Sequence, residues 1–198
     1  VLPLNYDYNS KFYSINPLNR EQLYALDAMM NKNISLITLV GPAGTGKTLI
    51  AIAAGLKMDM DEKRYEKLIV SKPVVPMGKD IGYIPGTAEE KLRPWIQPIY
   101  DNLEFLFGKK GVKAEEYLKK RNILDVEVLS YIRGRSIPDQ MIIIDEAQNL
   151  TPHEIKTIIT RVGEDSKIIL TGDPEQIDHP YLDEMSNGLM YTGSKFYT

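Results

Sequence analysis

Gly41-Pro42-Ala43-Gly44-Thr45-Gly46-Lys47-Thr48 fits the pattern G-x-x-x-x-G-K-[ST] at every position, a spacing suited to wrapping backbone around a phosphate. The glycines let successive N–H groups face one anion, and a helix starting at Lys47 aims its positive dipole end at the same point. Lys47 is the candidate for holding β- and γ-phosphates, the Thr48 hydroxyl for ligating Mg²⁺, and Leu49 closes the phosphate-binding stretch. A second group is the carboxylate pair Asp145-Glu146 directly after the apolar run 141–144. Asp145 is a candidate metal ligand, and Glu146 is a candidate for orienting or deprotonating an attacking water. A third is Thr171-Gly172-Asp173-Pro174-Glu175-Gln176 after the apolar run 167–171. Gln176 is the candidate γ-phosphate sensor; the plainer reading is a Gly-Asp-Pro turn with Gln176 in solvent.

Chemistry of this kind needs strands that end together. Residues 34–40 are apolar and β-branched, end in Gly41-Pro42 and precede the alanine-rich periodic segment 47–58, so strand, glycine loop and helix are expected in that order. Further strands are expected at 68–71, 125–129, 141–145 and 167–171, with helices at 20–31, 88–107, 112–122 and 152–162. Pro94 and Pro98 predict a kink or early break in the 88–107 helix. Residues 72–86 carry too many prolines and glycines for either regular element and are read as a long functional loop. Alternating strands and helices, with strands apolar on both faces, predict an α/β fold whose parallel sheet is flanked by helices on both faces. Parallel sheets place ligands at the C-terminal edge of their strands, where all three groups fall.

Composition limits the rest. The 198 residues carry a net charge of −3, 43% hydrophobic residues and no cysteine, as expected for one α/β domain able to bury a core unaided. Thiolate catalysis, zinc fingers and disulfide scaffolds are excluded, so any metal must take oxygen ligands. No apolar run approaches the roughly 20 residues that cross a bilayer. Residues 1–16 do not read as a signal peptide, so a cytoplasmic location without membrane contact is expected. The first residue is Val1, which leads us to expect an excised piece: a lead-in over 1–18, then one domain over 19–198.

Asp145-Glu146-Ala147-Gln148 followed by Gly172-Asp173-Pro174-Glu175-Gln176 resembles the DEAQ box and G-D-x-x-Q motif of superfamily-1 helicases. Ser71-Lys72-Pro73-Val74-Val75-Pro76 with Gly82-Tyr83-Ile84-Pro85-Gly86, then Tyr131-Ile132-Arg133-Gly134-Arg135, then 145–149 leading to Thr160-Arg161-Val162-Gly163, narrow the match. In this order, over residues 16–178, they resemble the PhoH-like ATPase family. That resemblance implies a RecA-like P-loop core that binds ATP and Mg²⁺, a link to RNA metabolism and RNA helicase-like activity. Residues 5–15 and the segment 78–82 resemble the branch fused to an upstream PIN ribonuclease domain, whose acidic quartet is not in this chain. Gln22 falls where superfamily-1 proteins place an adenine-reading glutamine; as a helix-surface glutamine it would be unremarkable. Relatives usually continue beyond the Asn187-Gly188-Leu189 region with a helix, a strand and a basic segment, so the last sheet strand is expected to be missing or displaced.

An arginine that neutralises γ-phosphate charge accelerates phosphoryl transfer by about 10³–10⁵, and the glycine loop supplies none. Arg133, Arg135 and Arg161 are the candidates, delivered from a neighbouring subunit of a homo-oligomer, a hexameric ring by the resemblance; ordinary surface ion pairs are the alternative. For single-stranded RNA the candidate surface is loop 72–86 with Lys72, Lys79 and Tyr83, followed by Lys91, Arg93 and Trp95. Residues 109–121 carry six basic and two acidic side chains, but a charge run on a helix is usually a solvated face, and Trp95 reads better as core. Rival readings are a nucleotide-gated assembly module with little turnover and a small-molecule kinase, which would not need the 172–176 motif.

Overall fold

The computed structural model describes residues 3–75, 88–108, 114–129 and 138–196. Five strands form one sheet in the order β1-β5-β4-β2-β3: β1 Leu36–Val40, β2 Lys67–Lys72, β3 Leu124–Val128, β4 Gln140–Ile144 and β5 Lys167–Gly172. Every neighbouring pair is parallel, with Val40 opposite Gly172 and Ser71 opposite Ile144. All five C-terminal ends therefore share one edge.

Alternation along the strands divides the core. Leu68, Val70, Met141, Ile143 and Ile169 face a cluster built with α1 (Arg20–Met30), α2 (Lys47–Leu56), α3 (Ala88–Phe107) and α4 (Ala114–Lys120). Their neighbours Ile69, Ile142, Ile144, Ile168 and Leu170 face a second cluster with α5 (Pro152–Ile159) and α6 (Gly188–Phe196). This period of two puts helices on both faces, as the continuous apolar strands predict. β1 lies at an edge of the described sheet, and Val40 is 48% exposed there.

Local signals set the helices. Asn19 accepts from Gln22 N–H to cap α1, and Leu23, Leu26, Met29 and Met30 form its buried stripe. Thr151 and Glu154 form a reciprocal capping box at α5. In α2 every residue from Ile50 to Leu56 is buried, and a Cβ on Gly55 would lie 2.8 Å from Leu68 Cδ1, so small residues let this helix sit close on the sheet. The pattern expected to run to Met58 passes at Lys57 into one π-helical turn, Lys57–Asp61.

α3 departs from expectation: it runs unbroken through Pro94 and Pro98. Both prolines lie on the exposed stripe, where the lost backbone bonds face water. Ile96, Ile99, Tyr100 and Leu103 pin the opposite stripe in the core, and Asn102 Nδ2 donates to the Pro98 carbonyl at 2.8 Å. The lead-in joins the same core, with Phe12 fully buried against Tyr6 and Tyr13 against Phe107. No helix among the described residues is long and apolar enough to cross a membrane.

Candidate active site

The glycine loop follows β1 and is held from β5. Gly41 N–H donates to the Gly172 carbonyl at 3.3 Å, and Ala43 N–H donates to Asp173 Oδ2 at 2.9 Å. Gly44 and Gly46 have φ of +76° and +83°, left-handed conformations that side chains disfavour and that the curl of the loop requires. The N-cap of α2 is Gly46, which has no side chain to cap the helix, and among the described residues the first-turn N–H groups are left to an anion. The Lys47 ammonium lies over the loop, donating to the Gly41 and Pro42 carbonyls at 2.7 and 2.8 Å.

Asp145, only 7% exposed, leaves the end of β4 and accepts at one oxygen, Oδ1, from the Thr48 hydroxyl at 2.7 Å and the Thr171 hydroxyl at 2.6 Å. A hydroxyl and a carboxylate are hard oxygen donors suited to Mg²⁺, which takes few protein ligands and completes its sphere with water and phosphate. No cluster of three or more His, Asp or Glu side chains that could hold a metal occurs among the described residues. The donor set therefore fits Mg²⁺ carried with a nucleotide.

Glu146 adopts φ +55°, ψ +40°, a left-handed conformation uncommon outside glycine that turns its carboxylate back over the strand ends. One of its oxygens faces Lys72 Nζ at 3.6 Å, and the other accepts from Gln148 Nε2. Gln148, fully buried, also donates to the Gln176 carbonyl at 2.8 Å and accepts from Asp173 N–H at 3.2 Å. It ties the Asp145-Glu146 turn to the 172–176 turn. A cleft of about 230 Å³ results, lined by Gly44, Lys47, Thr48, Asp145, Glu146 and Gln176 among others.

The structure thus brings residues 41–49, Asp145, Glu146 and Gln176 together. Gln176 is exposed at the cleft with its backbone fixed by Gln148. Gln22 abuts the loop from α1, donating to the Thr45 carbonyl at 3.0 Å and accepting from Leu18 N–H at 2.9 Å. One amide N–H and one lone pair remain on it. Arg161 lies elsewhere: it follows α5 and precedes the start of β5, at the sheet edge opposite the cleft. A six-residue strand separates the two edges by roughly 20 Å, so Arg161 does not reach the cleft of its own chain.

Several residues of this constellation were missed by sequence reasoning. Thr171, Asp173 and Gln148 stood inside quoted motifs without a role, and their polarity at the end of a buried strand was the available signal. Of the proposed RNA surface, Lys72 pairs with Glu146, whereas Arg93 pairs with Glu115 at 3.6 Å and lies over the Tyr100 ring. Trp95 is half-buried. Lys79, Tyr83, Arg133, Arg135 and the Lys91 side chain lie outside the described residues, as do 109–113; in α4 Lys119 pairs with Glu115, and Arg121, just after it, lies over the Tyr117 ring.

A family model for PhoH-like protein matches residues 14–195. The chain is 60% identical over 185 residues to Protein PhoH2 of Bacillus subtilis (strain 168), covering 93% of this chain and 42% of that protein. It is 40% identical over 153 residues to the PhoH-like protein of the same strain, covering 77% and 46% respectively. The chain thus spans less than half the length of these curated relatives. Among solved structures, the Sulfolobus solfataricus SWI2/SNF2 ATPase core in complex with dsDNA superposes with a TM-score of 0.53 at 19% identity, covering 96% of this chain and 41% of that one. The likeness is one of fold: a RecA-like P-loop α/β domain.

Proposed function

The chain belongs to the PhoH-like protein family, and on that premise we propose that it binds ATP with Mg²⁺ in the cleft and hydrolyses it to ADP and phosphate. We propose further that turnover is coupled to binding or unwinding of single-stranded RNA by a homo-oligomeric ring. The observation carrying the hydrolase reading is the convergence of Thr48, from the first turn of α2, with Asp145 and Glu146, from the end of β4, on the mouth of the glycine loop.

In this reading the loop N–H groups and Lys47 bind the phosphates. Thr48 and Asp145 hold Mg²⁺, which supplies positive charge to the phosphate oxygens. Glu146 orients the attacking water and accepts its proton as the oxygen bonds to the γ-phosphorus and ADP leaves. Gln176 reports the γ-phosphate, and Gln22 offers its remaining donor and acceptor to adenine. Arg161, or Arg133 or Arg135, enters from a neighbouring subunit, consistent with the distance of Arg161 from its own cleft. The greater length of the relatives supports a further domain in the whole protein; the resemblance makes it an upstream PIN ribonuclease. A cytoplasmic setting belongs to the same reading.

A second reading, a nucleotide-gated assembly module with little turnover, is favoured by one observation: both Glu146 oxygens are engaged by Lys72 and Gln148. Steady-state ATP hydrolysis with and without single-stranded RNA, taken with molar mass, separates the two. RNA-stimulated turnover in an assembled species is expected; nucleotide binding and assembly without turnover would favour the module.

A further inference from the structure

A second cavity, about 520 Å³, opens on the same sheet edge but further along it, beyond β4. Its walls include Pro73 and Val75 after β2, Leu129 after β3, Asn149, His179 and Tyr181. Its size falls within the range of small-ligand pockets, about 300–1,000 Å³. From this cavity we infer a receptor for one unstacked base of a single-stranded nucleic acid, with Tyr181 as its stacking platform. The inference rests on the RNA-coupled reading above and gives the strand a defined seat.

Four features carry it. Tyr181 is 89% exposed, so core packing does not account for its ring. The His179 ring stands edge-on to it with centroids 6.0 Å apart, and His179 Nδ1 accepts from Tyr181 N–H at 3.3 Å, an arrangement that puts the ring's donor at Nε2. The remaining walls are chiefly apolar. Glu154, an acidic residue of the lining, is held in its capping box, where Oε2 receives Thr151 N–H and hydroxyl. A flat, uncharged group with hydrogen-bonding edges suits such a site, and every base offers a π-face.

Lys72 precedes Pro73 of the cavity wall in the chain and pairs with Glu146 of the cleft at 3.6 Å, a cation available to a backbone phosphate of the same strand. Asn149 Oδ1 receives Asp178 N–H and His179 N–H at 2.8 and 3.2 Å, fixing the aromatic turn directly to the residue after Gln148. One hydrogen-bonded frame therefore runs from Glu146 through Gln148 and Asn149 to the aromatic pair. A base seated on Tyr181 would bear on the same frame that positions Glu146 and Gln176.

The test uses the full-length protein and an oligouridylate carrying one 2-aminopurine, with an end label for anisotropy and a deoxy counterpart. Stacking quenches 2-aminopurine. Wild type is expected to bind and quench both strands. Tyr181→Ala should weaken binding about tenfold, abolish quenching and lower RNA-stimulated ATP hydrolysis while leaving the RNA-free rate unchanged; Tyr181→Phe should behave as wild type. Binding without quenching in wild type, or unchanged affinity and quenching in Tyr181→Ala, would overturn the inference and leave the hydrolase reading standing. Unchanged RNA affinity with a loss of assembled mass would instead assign the patch to a protein contact and also overturn it. Wild type that hydrolyses ATP but binds no strand would overturn the inference together with the RNA half of the reading; no hydrolysis at all would overturn the hydrolase reading separately.

Discussion

Thr171 donates its hydroxyl to Asp145 Oδ1 at 2.6 Å, the same oxygen that receives the Thr48 hydroxyl from the first turn of α2. β5 lies between β1 and β4 in the sheet, so a residue of β5 can brace the carboxylate at the end of β4 while Asp173, just beyond it, braces the glycine loop after β1. The glycine loop and the Asp145 carboxylate are thereby held by one strand end.

Thr171→Val removes that brace with almost no change in volume. It leaves Asp145 without one of its two hydroxyl donors, and a hydrogen bond to a charged group contributes about 1.5–3 kcal/mol. Mg²⁺-dependent ATP affinity, measured by titration calorimetry, should fall at least tenfold, while affinity for nucleotide in the presence of a chelator changes little. Equal losses with and without Mg²⁺ would point to general misfolding of the edge.

Gly172→Ala should be more damaging than its size suggests. An added Cβ would stand 2.3 Å from Gln148 Oε1 and 2.8 Å from Leu189 Cδ2. Gln148 cannot retreat without losing its bonds to Asp173 N–H, the Gln176 carbonyl and Glu146. Thermal unfolding should show a loss of about 1–3 kcal/mol, with nucleotide binding impaired. A variant as stable and as active as wild type would mean that the Gln148 bridge is not a fixed element.

How much of this was legible in the sequence differs by residue. The glycine loop was, because its spacing is local and its flanking strand and helix have clear periods. Asp145 and Glu146 were, because charge ending an apolar run is visible. The roles of Thr171, Asp173 and Gln148 were not, since they depend on sheet order, which alternating strands and helices leave open. The straight passage of α3 through Pro94 and Pro98 was hidden too: proline's local cost is readable, but the burial of Ile99 and Leu103 that overrides it is a tertiary fact.

Asp59 offers a prediction about pH. It sits buried in the π-helical turn with Oδ2 lacking a hydrogen-bond partner among the described residues, and burial raises its carboxyl to about 6 from 3.8. The folded protein therefore holds this proton more tightly than the unfolded chain, and its contribution to stability falls as pH rises from about 4 to about 6. Asp59→Asn cannot ionise, so at pH 7 it should be more stable than wild type by about 1–3 kcal/mol. That advantage should shrink to nothing below pH 4, as read by denaturant unfolding across pH. An advantage independent of pH would place its origin elsewhere.

In the proposed hydrolysis, Glu146 acts on water at the γ-phosphate of ATP held by the loop. The most direct test of this role is the single-turnover rate of Mg-ATP hydrolysis by wild type and Glu146→Gln, with nucleotide affinity measured on both. Measurable hydrolysis by wild type is expected, with a loss of about 10²-fold or more in the variant and ATP binding kept within a few fold. Equal rates for the two proteins, or no hydrolysis by wild type under conditions where it binds Mg-ATP, would contradict it.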